Sequence, residues 1–454
     1  MGKGILEVSW KLGIAMLMLC ASLAQAEWQF EYMEGKNCTI GGDIRVRLTH
    51  FDRDVISQDG ALPNGPALEY LRVRERLWGC FDVAENACLN VRLVNRWHAF
   101  SSRFGDNSAQ DGSRWTFPDE VIVDQLNLTI SDIMDGKWSV VLGRQDIVLG
   151  NGMVMLEGTP YDQGRSIYFD GVTAKYQDEC NTLTLLALYN EYKDTTVFIN
   201  DQNRRLRRGD TYVFGGYWTH NFNQNINTDL YYLWLDIDDD DDTTAERNHP
   251  ADENAVLNVA GFRVFGSPDP QLDYSIEIAK QFGDFQEADI DMTGMMIDAR
   301  LKLKAEEGTA LAPSLDLEYT KLTGDDPASA DEFEGWHPVF AEYPIWREEL
   351  LPILFNGNWS NLSQYRAALN LTLADNDCYS LKVQVGAAHL LADYGESGTG
   401  GGDTIGQLYS GFVDVAMKET PISFALELAQ FEPGDYYDDG HTAEWIRFQT
   451  YYKF

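Results

Sequence analysis

The stretch EYLRVRERLWG, Glu69–Gly79, decides how the rest of the chain is read. Arg72, Arg74 and Arg76 fall at every second position, with Leu71, Val73 and Leu77 on the alternate ones. A β-strand turns successive side chains to opposite faces, so this period builds one charged face and one apolar face. In a soluble sandwich the apolar face lies inside. In a membrane barrel it meets lipid, and the charged face lines a wet lumen. A whole row of arginines suits the second arrangement.

The pattern spreads outward in both directions. GDIRVRLTHF places Arg45 and Arg47 on one face, and the strand that follows Gly79 adds Arg92 and Arg96. MIDARLKLKA aligns Asp298, Arg300, Lys302 and Lys304 against Ile297, Ala299, Leu301 and Leu303. Similar alternation marks LNLTI, LTLLALY, ALNLTLA, LKVQVGA, ISFALEL and IRFQTYYKF. About 18 such segments run from residue 42 to residue 454, each long enough to cross a membrane when tilted. The gaps between them alternate in length. DVAENA, DIMDG, QDEC, SPDP, AEEG, ADND and KETP are short, whereas 52–66, 98–119, 145–166, 194–208, 238–252, 324–359 and 394–403 are mostly long. Short periplasmic turns alternating with long external loops are the layout of an outer-membrane barrel. The expected fold is therefore all-β: a transmembrane antiparallel β-barrel of about 18 strands.

The two ends agree with that expectation. Residues 1–26 carry Lys3 and Lys11, the apolar run LGIAMLMLCASLA and the small-residue sequence AQA, the pattern of a secretory signal peptide. Leu17 and Leu19 argue against lipidation at Cys20. Residues 27–454 are left for the barrel. No other run of 18 apolar residues occurs, so no transmembrane helix is expected. At the C-terminus Phe448, Tyr452 and Phe454 share one face, like the signal read by the outer-membrane assembly machinery. That machinery, outer-membrane lipid and lipopolysaccharide are the expected partners of a monomeric barrel in the cell outer membrane of a Gram-negative-type bacterium. Aromatics near strand ends, among them Trp78, Trp97, Trp138, Tyr176, Tyr189, Tyr192, Tyr231 and Trp445, are read as membrane girdles.

The net charge of −37 excludes a nucleic-acid partner. Much of it sits in DIDDDDD (Asp236–Asp242), DDPASADEFE and EPGDYYDD, all placed in external loops and without the glycine-pivoted spacing of a calcium loop. Downstream of the signal remain Cys38, Cys80, Cys88, Cys180 and Cys378, an odd number. Cys80 and Cys88 flank a hairpin end and are either a cross-strand disulfide or two unpaired thiols. The seven histidines form no catalytic or metal-binding spacing, so no enzyme activity, metal or cofactor is expected.

GRQDIVLGNGMVMLEGTPYDQGRSIYFDGVTAKY, Gly143–Tyr176, joins two strands through the third external loop. It lacks the Gly-Lys-Ser/Thr and the helix of a phosphate-binding loop. It resembles the hallmark of the alginate-export family of outer-membrane proteins through Gly143, Arg144, Gln145, Gly150, Gly152, Arg165, Ser166, Phe169, Asp170 and Gly171. EVIVDQLNLTI, with Asp124 and Gln125, is similar to that family as well. The resemblance implies an 18-stranded barrel. The sequence departs from the family in two ways. Two residues separate Ser166 from Phe169 where a tighter spacing is usual, and KETP is shorter than the periplasmic turn that can plug the alginate exporter's pore. Within the motif, Arg144 is placed to pair with Asp170 or Asp146 and fasten an inward loop to the rim. Contact of Arg144 or Arg165 with solute is the second reading.

The function expected is a passive channel for an anionic solute, such as a uronate polysaccharide or oligosaccharide. Its path is lined by Arg45, Arg47, Arg72, Arg74, Arg76, Arg92, Arg96, Arg300 and Lys302. Against selectivity stands neutralisation of the stripe by lumen acids such as Glu75, Asp124, Asp316 or Glu318. Two other loops bear on the path. Loop 324–359 carries Trp336, His337, Phe340, Tyr343, Trp346 and Trp359, read first as an apolar cluster packed into the mouth and second as a sugar-stacking surface. NRRLRRGD, with Arg204, Arg205, Arg207 and Arg208, is either a contact for lipopolysaccharide or solute, or an exposed basic patch. The alternatives in function are a general porin without polymer specificity and a barrel or secreted enzyme acting on acidic glycans.

Overall fold

The computed structural model describes residues 27–51, 68–99, 116–156, 168–191, 196–200, 210–238, 254–285, 290–329, 331–341, 360–438 and 440–454. The signal segment, Arg165, Ser166, the arginines of NRRLRRGD, and Tyr192, Tyr343, Trp346 and Trp359 lie outside these residues. Twenty-two strands occur among them. They are β1 Trp28–Met33, β2 Lys36–Phe51, β3 Leu68–Ala84, β4 Ala87–Ala99, β5 Glu120–Ile133, β6 Trp138–Arg144, β7 Asp170–Gln177, β8 Asn181–Asn190, β9 Val197–Ile199, β10 Asp210–Asn223 and β11 Ile226–Asp238. There follow β12 Ala255–Asp269, β13 Leu272–Phe285, β14 Ile290–Met292, β15 Met295–Lys304, β16 Ser314–Leu322, β17 Glu332–Phe333, β18 Leu362–Asp375, β19 Tyr379–Leu391, β20 Thr404–Met417, β21 Ile422–Pro433 and β22 Ala443–Lys453.

The staves of the wall are β2–β8, β10–β13, β15, β16 and β18–β22, each antiparallel to its neighbours, in a closed 18-strand barrel. Closure is made by β22 against β2, from Asp43 opposite Lys453 to Phe51 opposite Trp445. Closing the sheet removes the free edges that an open sheet would leave unsatisfied in lipid. No described helix is long and apolar enough to cross a membrane.

Four elements were not foreseen from sequence. β1 pairs with the first residues of β2 below the barrel base, so the strand itself starts at Lys36, while it joins the last strand only from Gly42 and Asp43. β9 pairs with Val121 and Ile122 of β5, a level that the short β6 does not reach. The expected strand 290–305 is split into β14 and β15 at Thr293 and Gly294. β17 lies parallel to β14.

Alternation sorts the side chains. Leu77, Leu126, Leu142, Leu185, Phe214, Leu230, Phe262, Ile278, Val385 and Phe448 are large, apolar and exposed, and all face outward. In water such a belt would be an aggregation surface; in a bilayer it is the solvated face. The Tyr189 and Tyr212 rings lie 4.7 Å apart towards the external end, and Trp138 meets Tyr176 at 5.3 Å at the periplasmic end, as interfacial girdles require. Three of the expected girdle residues point the other way. Trp445 and Tyr231 are buried inside the barrel, and Trp78 stands opposite Arg92 on the lumen face. Each lies on the same parity as the lumen arginines of its own or the adjacent strand, which rules it out of the girdle.

Cys80 and Cys88 form a disulfide across β3 and β4, with Cα atoms 5.9 Å apart. Below, in the turn between β7 and β8, Asp178 accepts the backbone N–H groups of Cys180 and Asn181 at 2.9 and 2.7 Å. These bonds favour the ionised form and hold its carboxyl down to about 2.

Candidate functional site

The arginine rows of β2, β3 and β4 stand side by side on the lumen face. Arg45 is directly opposite Arg74, and Arg47 opposite Arg72. On the other side of β3, Arg74 is opposite Arg96. Like charges at directly opposed positions oppose strand pairing. The fold tolerates this arrangement with acids set at the margins of the stripe. Asp43, fully buried, accepts from Arg74 at 3.2 Å and from Arg76 at 2.7 Å. Arg47 Nε donates to Gln449 at 2.6 Å. Arg447 on β22 extends the stripe across the seam: it pairs with Glu427 at 3.1 Å and lies 4.7 Å from the Trp445 ring.

Arg92 is held by a device in β5. The register slips between Arg92–Gln125 and Leu93–Val123, so Asp124 is an extra residue in its strand. Such a bulge re-aims side chains. Here it lets the consecutive Asp124 and Gln125 both reach the lumen. Asp124 pairs with Arg92 at 2.8 Å, and Gln125 donates to Asp146 at 2.9 Å. Asp146 in turn pairs with Arg92 at 2.9 Å. Just towards the periplasm lies a polar cavity of about 300 Å³, lined by Arg76, Arg92, Asn90, Gln125, Tyr451 and Lys453 among others.

The loop after β6 starts from a staple. Arg144 grips Asp170 as a fork, Nε to Oδ1 at 2.9 Å and Nη2 to Oδ2 at 2.7 Å. Its Nη1 donates to the Val123 carbonyl at 3.0 Å, and its guanidinium lies 3.8 Å from the Tyr168 ring centre. Gln145 and Phe169 continue the pairing of β6 with β7 by one bridge. Gly143 and Gly171 have φ of 116° and 147°, and a Cβ on either would come within 2.3 Å of a neighbouring carbonyl oxygen. The staple reading of Arg144 thus holds, with Asp170 rather than Asp146 as its partner.

From this anchor the loop crosses the lumen. Asn151 donates to Ser275 and Asp298 at 3.0 Å each and accepts from Arg263 at 2.6 Å. A second inward loop meets it. Phe340 N–H donates to the Val154 carbonyl at 3.1 Å, and the Phe340 and Phe169 rings are 4.9 Å apart. Trp336 and Phe340 are buried, and Gln281 on β13 fixes His337 by bonding both its backbone C=O and its N–H. These residues form the apolar cluster packed into the mouth. The two loops join apolar lumen residues of β8–β13, of β15–β22 and, at Phe51 and Tyr70, of β2 and β3 in one core cluster that narrows the channel.

The wall under Asn151 differs from the arginine stripe. Asp229 pairs with Arg263 at 2.6 Å and also accepts from Thr219 at 2.7 Å. Tyr231 donates to Glu277 at 2.8 Å. Arg300 pairs with Asp298 at 2.8 Å, Lys302 with Asp316 at 3.3 Å, and Arg366 with Glu318 at 2.9 Å. Arg300 and Lys302 are therefore in the lumen as expected, but each sits beside its own acid.

One expected lumen acid is not there. Glu75 lies between Arg74 and Arg76 and so faces outward, where it accepts from Asn95 at 2.8 Å and Trp97 at 3.2 Å. Residues that sequence reading missed include Asp43, Asp229, Arg263, Glu277, Arg366, Glu427 and Arg447. Their signal was available, since each shares the parity of lumen residues on its own strand.

The family model described as alginate export matches residues 37–447. Among solved structures, Pseudomonas aeruginosa OpdL aligns over 93% of this chain and 99% of its own, with 12% identity and a TM-score of 0.54. Acinetobacter baumannii OccAB2 aligns over 91% and 98%, with 11% identity and a TM-score of 0.55. Pseudomonas aeruginosa OccK7 (OpdD) aligns over 92% and 98%, with 11% identity and a TM-score of 0.51. At these identities the likeness is one of fold. No curated protein matches the chain.

Proposed function

The chain belongs to the alginate-export family and is an outer-membrane channel, and from that premise we propose that it passes an anionic solute. The solute class is a uronate polysaccharide or oligosaccharide such as alginate, with one carboxylate per sugar. The observation that carries this reading is the direct opposition of Arg45, Arg74 and Arg96, flanked by Arg47 and Arg72. A fold that accepts like charges face to face keeps a positive potential on that side of the lumen. A carboxylate lowers its entry barrier there and exchanges from one arginine to the next, as passage through a weakly binding pore requires. The cavity between Arg76, Arg92 and Lys453 continues the track towards the periplasm.

The stapled loop crossing to Asn151 sets the width, and water and ions pass on the arginine side. Passage is down a gradient, and the chain needs no catalytic group for it. The barrel is read as a monomer in the outer membrane of a Gram-negative-type bacterium, inserted by the assembly machinery through the strand that ends at Phe454. The test is reversal-potential measurement in planar bilayers across a salt gradient. Wild type is expected to prefer anions, and Arg72→Gln/Arg74→Gln/Arg76→Gln to lose most of that preference. An unchanged permeability ratio overturns the reading.

A further inference from the structure

The outward belt is not smooth. Across β13–β20 it sinks into a groove of about 640 Å³ whose exposed lining is mostly apolar. That is the space of some twenty waters at roughly 30 Å³ each, enough for a saturated acyl chain. Strand register explains the hollow. Ala367 on β18 stands directly opposite Ala387 on β19, so the floor carries two methyl groups where neighbouring rows carry large side chains. Leu317 flanks this pair on β16, and Tyr409 on β20. One row towards the external side, Tyr319, Tyr365, His389 and Gln407 stand in register across the same four strands. Tyr319 and Tyr365 are 4.9 Å apart, and His389 Nδ1 meets Gln407 Nε2.

The groove is thus apolar at mid-height and polar at its external end. Leu391 and Thr404, the strand ends next to His389 and Gln407, mark that end. This is the order of groups along a lipid of the external leaflet: chain at depth, ester and amide carbonyls and sugar hydroxyls at the interface. Resting on the outer-membrane reading, we propose that this groove seats an acyl chain of a lipopolysaccharide. The Tyr365–His389–Gln407 row hydrogen-bonds the linkage where that chain joins its headgroup. Tyr365, just over half exposed, is free to turn its hydroxyl to the lipid. A chain seated against Ala367 and Ala387 is held by dispersion along its length, which flat belt surface cannot match.

The test is native mass spectrometry of the barrel extracted in mild detergent from a lipopolysaccharide-containing membrane. Wild type is expected to retain one lipid with the mass of the membrane's own lipopolysaccharide. Ala367→Phe/Ala387→Phe, which fills the floor, lowers that retention by about tenfold, and His389→Leu lowers it while leaving the floor open. Both variants should keep the conductance and ion preference of wild type in planar bilayers. Equal retention by wild type and both variants overturns the proposal. So does retention of phospholipid alone, or a dimer that the filled variant loses, which would assign the groove to a second copy. If the Phe double variant fails to fold, the His389→Leu comparison decides. Loss of conductance in wild type would instead strike the channel reading beneath it.

Discussion

Two walls of one lumen carry similar residues and do different things with them. On β2–β4 the arginines face one another, Arg45 opposite Arg74 and Arg74 opposite Arg96, with Asp43 and Glu120 among the acids at the margins. On β11–β16 each cation sits beside an acid, as with Arg263 and Asp229, Arg300 and Asp298, and Lys302 and Asp316. A paired wall gives little net field, and its bonds hold the crossing loop through Asn151. On the opposed wall guanidinium stands against guanidinium, the arrangement on which the proposed anion path rests. Charge in a lumen is therefore not one property: on one side guanidinium meets carboxylate, and on the other guanidinium meets guanidinium across strands.

The contrast breaks most sharply at Arg263. Asp229 is fully buried, so Arg263→Ala strands a carboxylate and should lower barrel stability by roughly 3–5 kcal/mol. Urea unfolding checks that loss, and ion preference should hold in whatever fraction folds. A large change in selectivity would erase the distinction between the walls. Next comes Arg144→Ala, which removes the fork to Asp170 and should cost about 2 kcal/mol. Single-channel traces should become noisier as the loop loosens, with selectivity nearly kept. If the traces stay quiet, the staple is not what holds the loop. The triple glutamine variant of Arg72, Arg74 and Arg76 should move the anion-to-cation ratio several-fold, on the order of 1 kcal/mol, with a smaller change in stability. The smallest effect belongs to Glu75→Gln. Although Glu75 sits between two stripe arginines in sequence, it faces away from the lumen. The permeability ratio should not move, and a clear rise in anion preference would mean that Glu75 shares the lumen.

Strand alternation made much of this readable in advance. The stripe from Arg45 to Arg96, the lumen placement of Arg300 and Lys302, the outward Phe448 and the alternation of loop lengths all follow from a period of two and the cost of charge in lipid. The same rule, applied strictly, places Glu75 outward and Arg447 inward, although Glu75 lies between two stripe arginines and Arg447 lies among the aromatics of the last strand. Other features obey no local rule. The bulge at Asp124 depends on register with β4. The supplementary strands β1 and β9 pair where a neighbouring stave does not reach, and β17 pairs with β14 beyond a break in its stave, which no single segment reveals.

What the sequence by itself determined is which face of each strand is polar, how often the chain turns back, and hence a closed barrel with a charged lumen. Backbone stereochemistry fixes side-chain parity one residue at a time, so that information is local. What only the tertiary structure decided is which charges meet. Pairing partners are set by register between strands and by where the loops from Gly143 to Leu156 and from Trp336 to Phe340 fold. A shift of two residues would keep every face and change every ion pair, so the division into acid-paired wall and arginine-opposed stripe belongs to the assembled barrel.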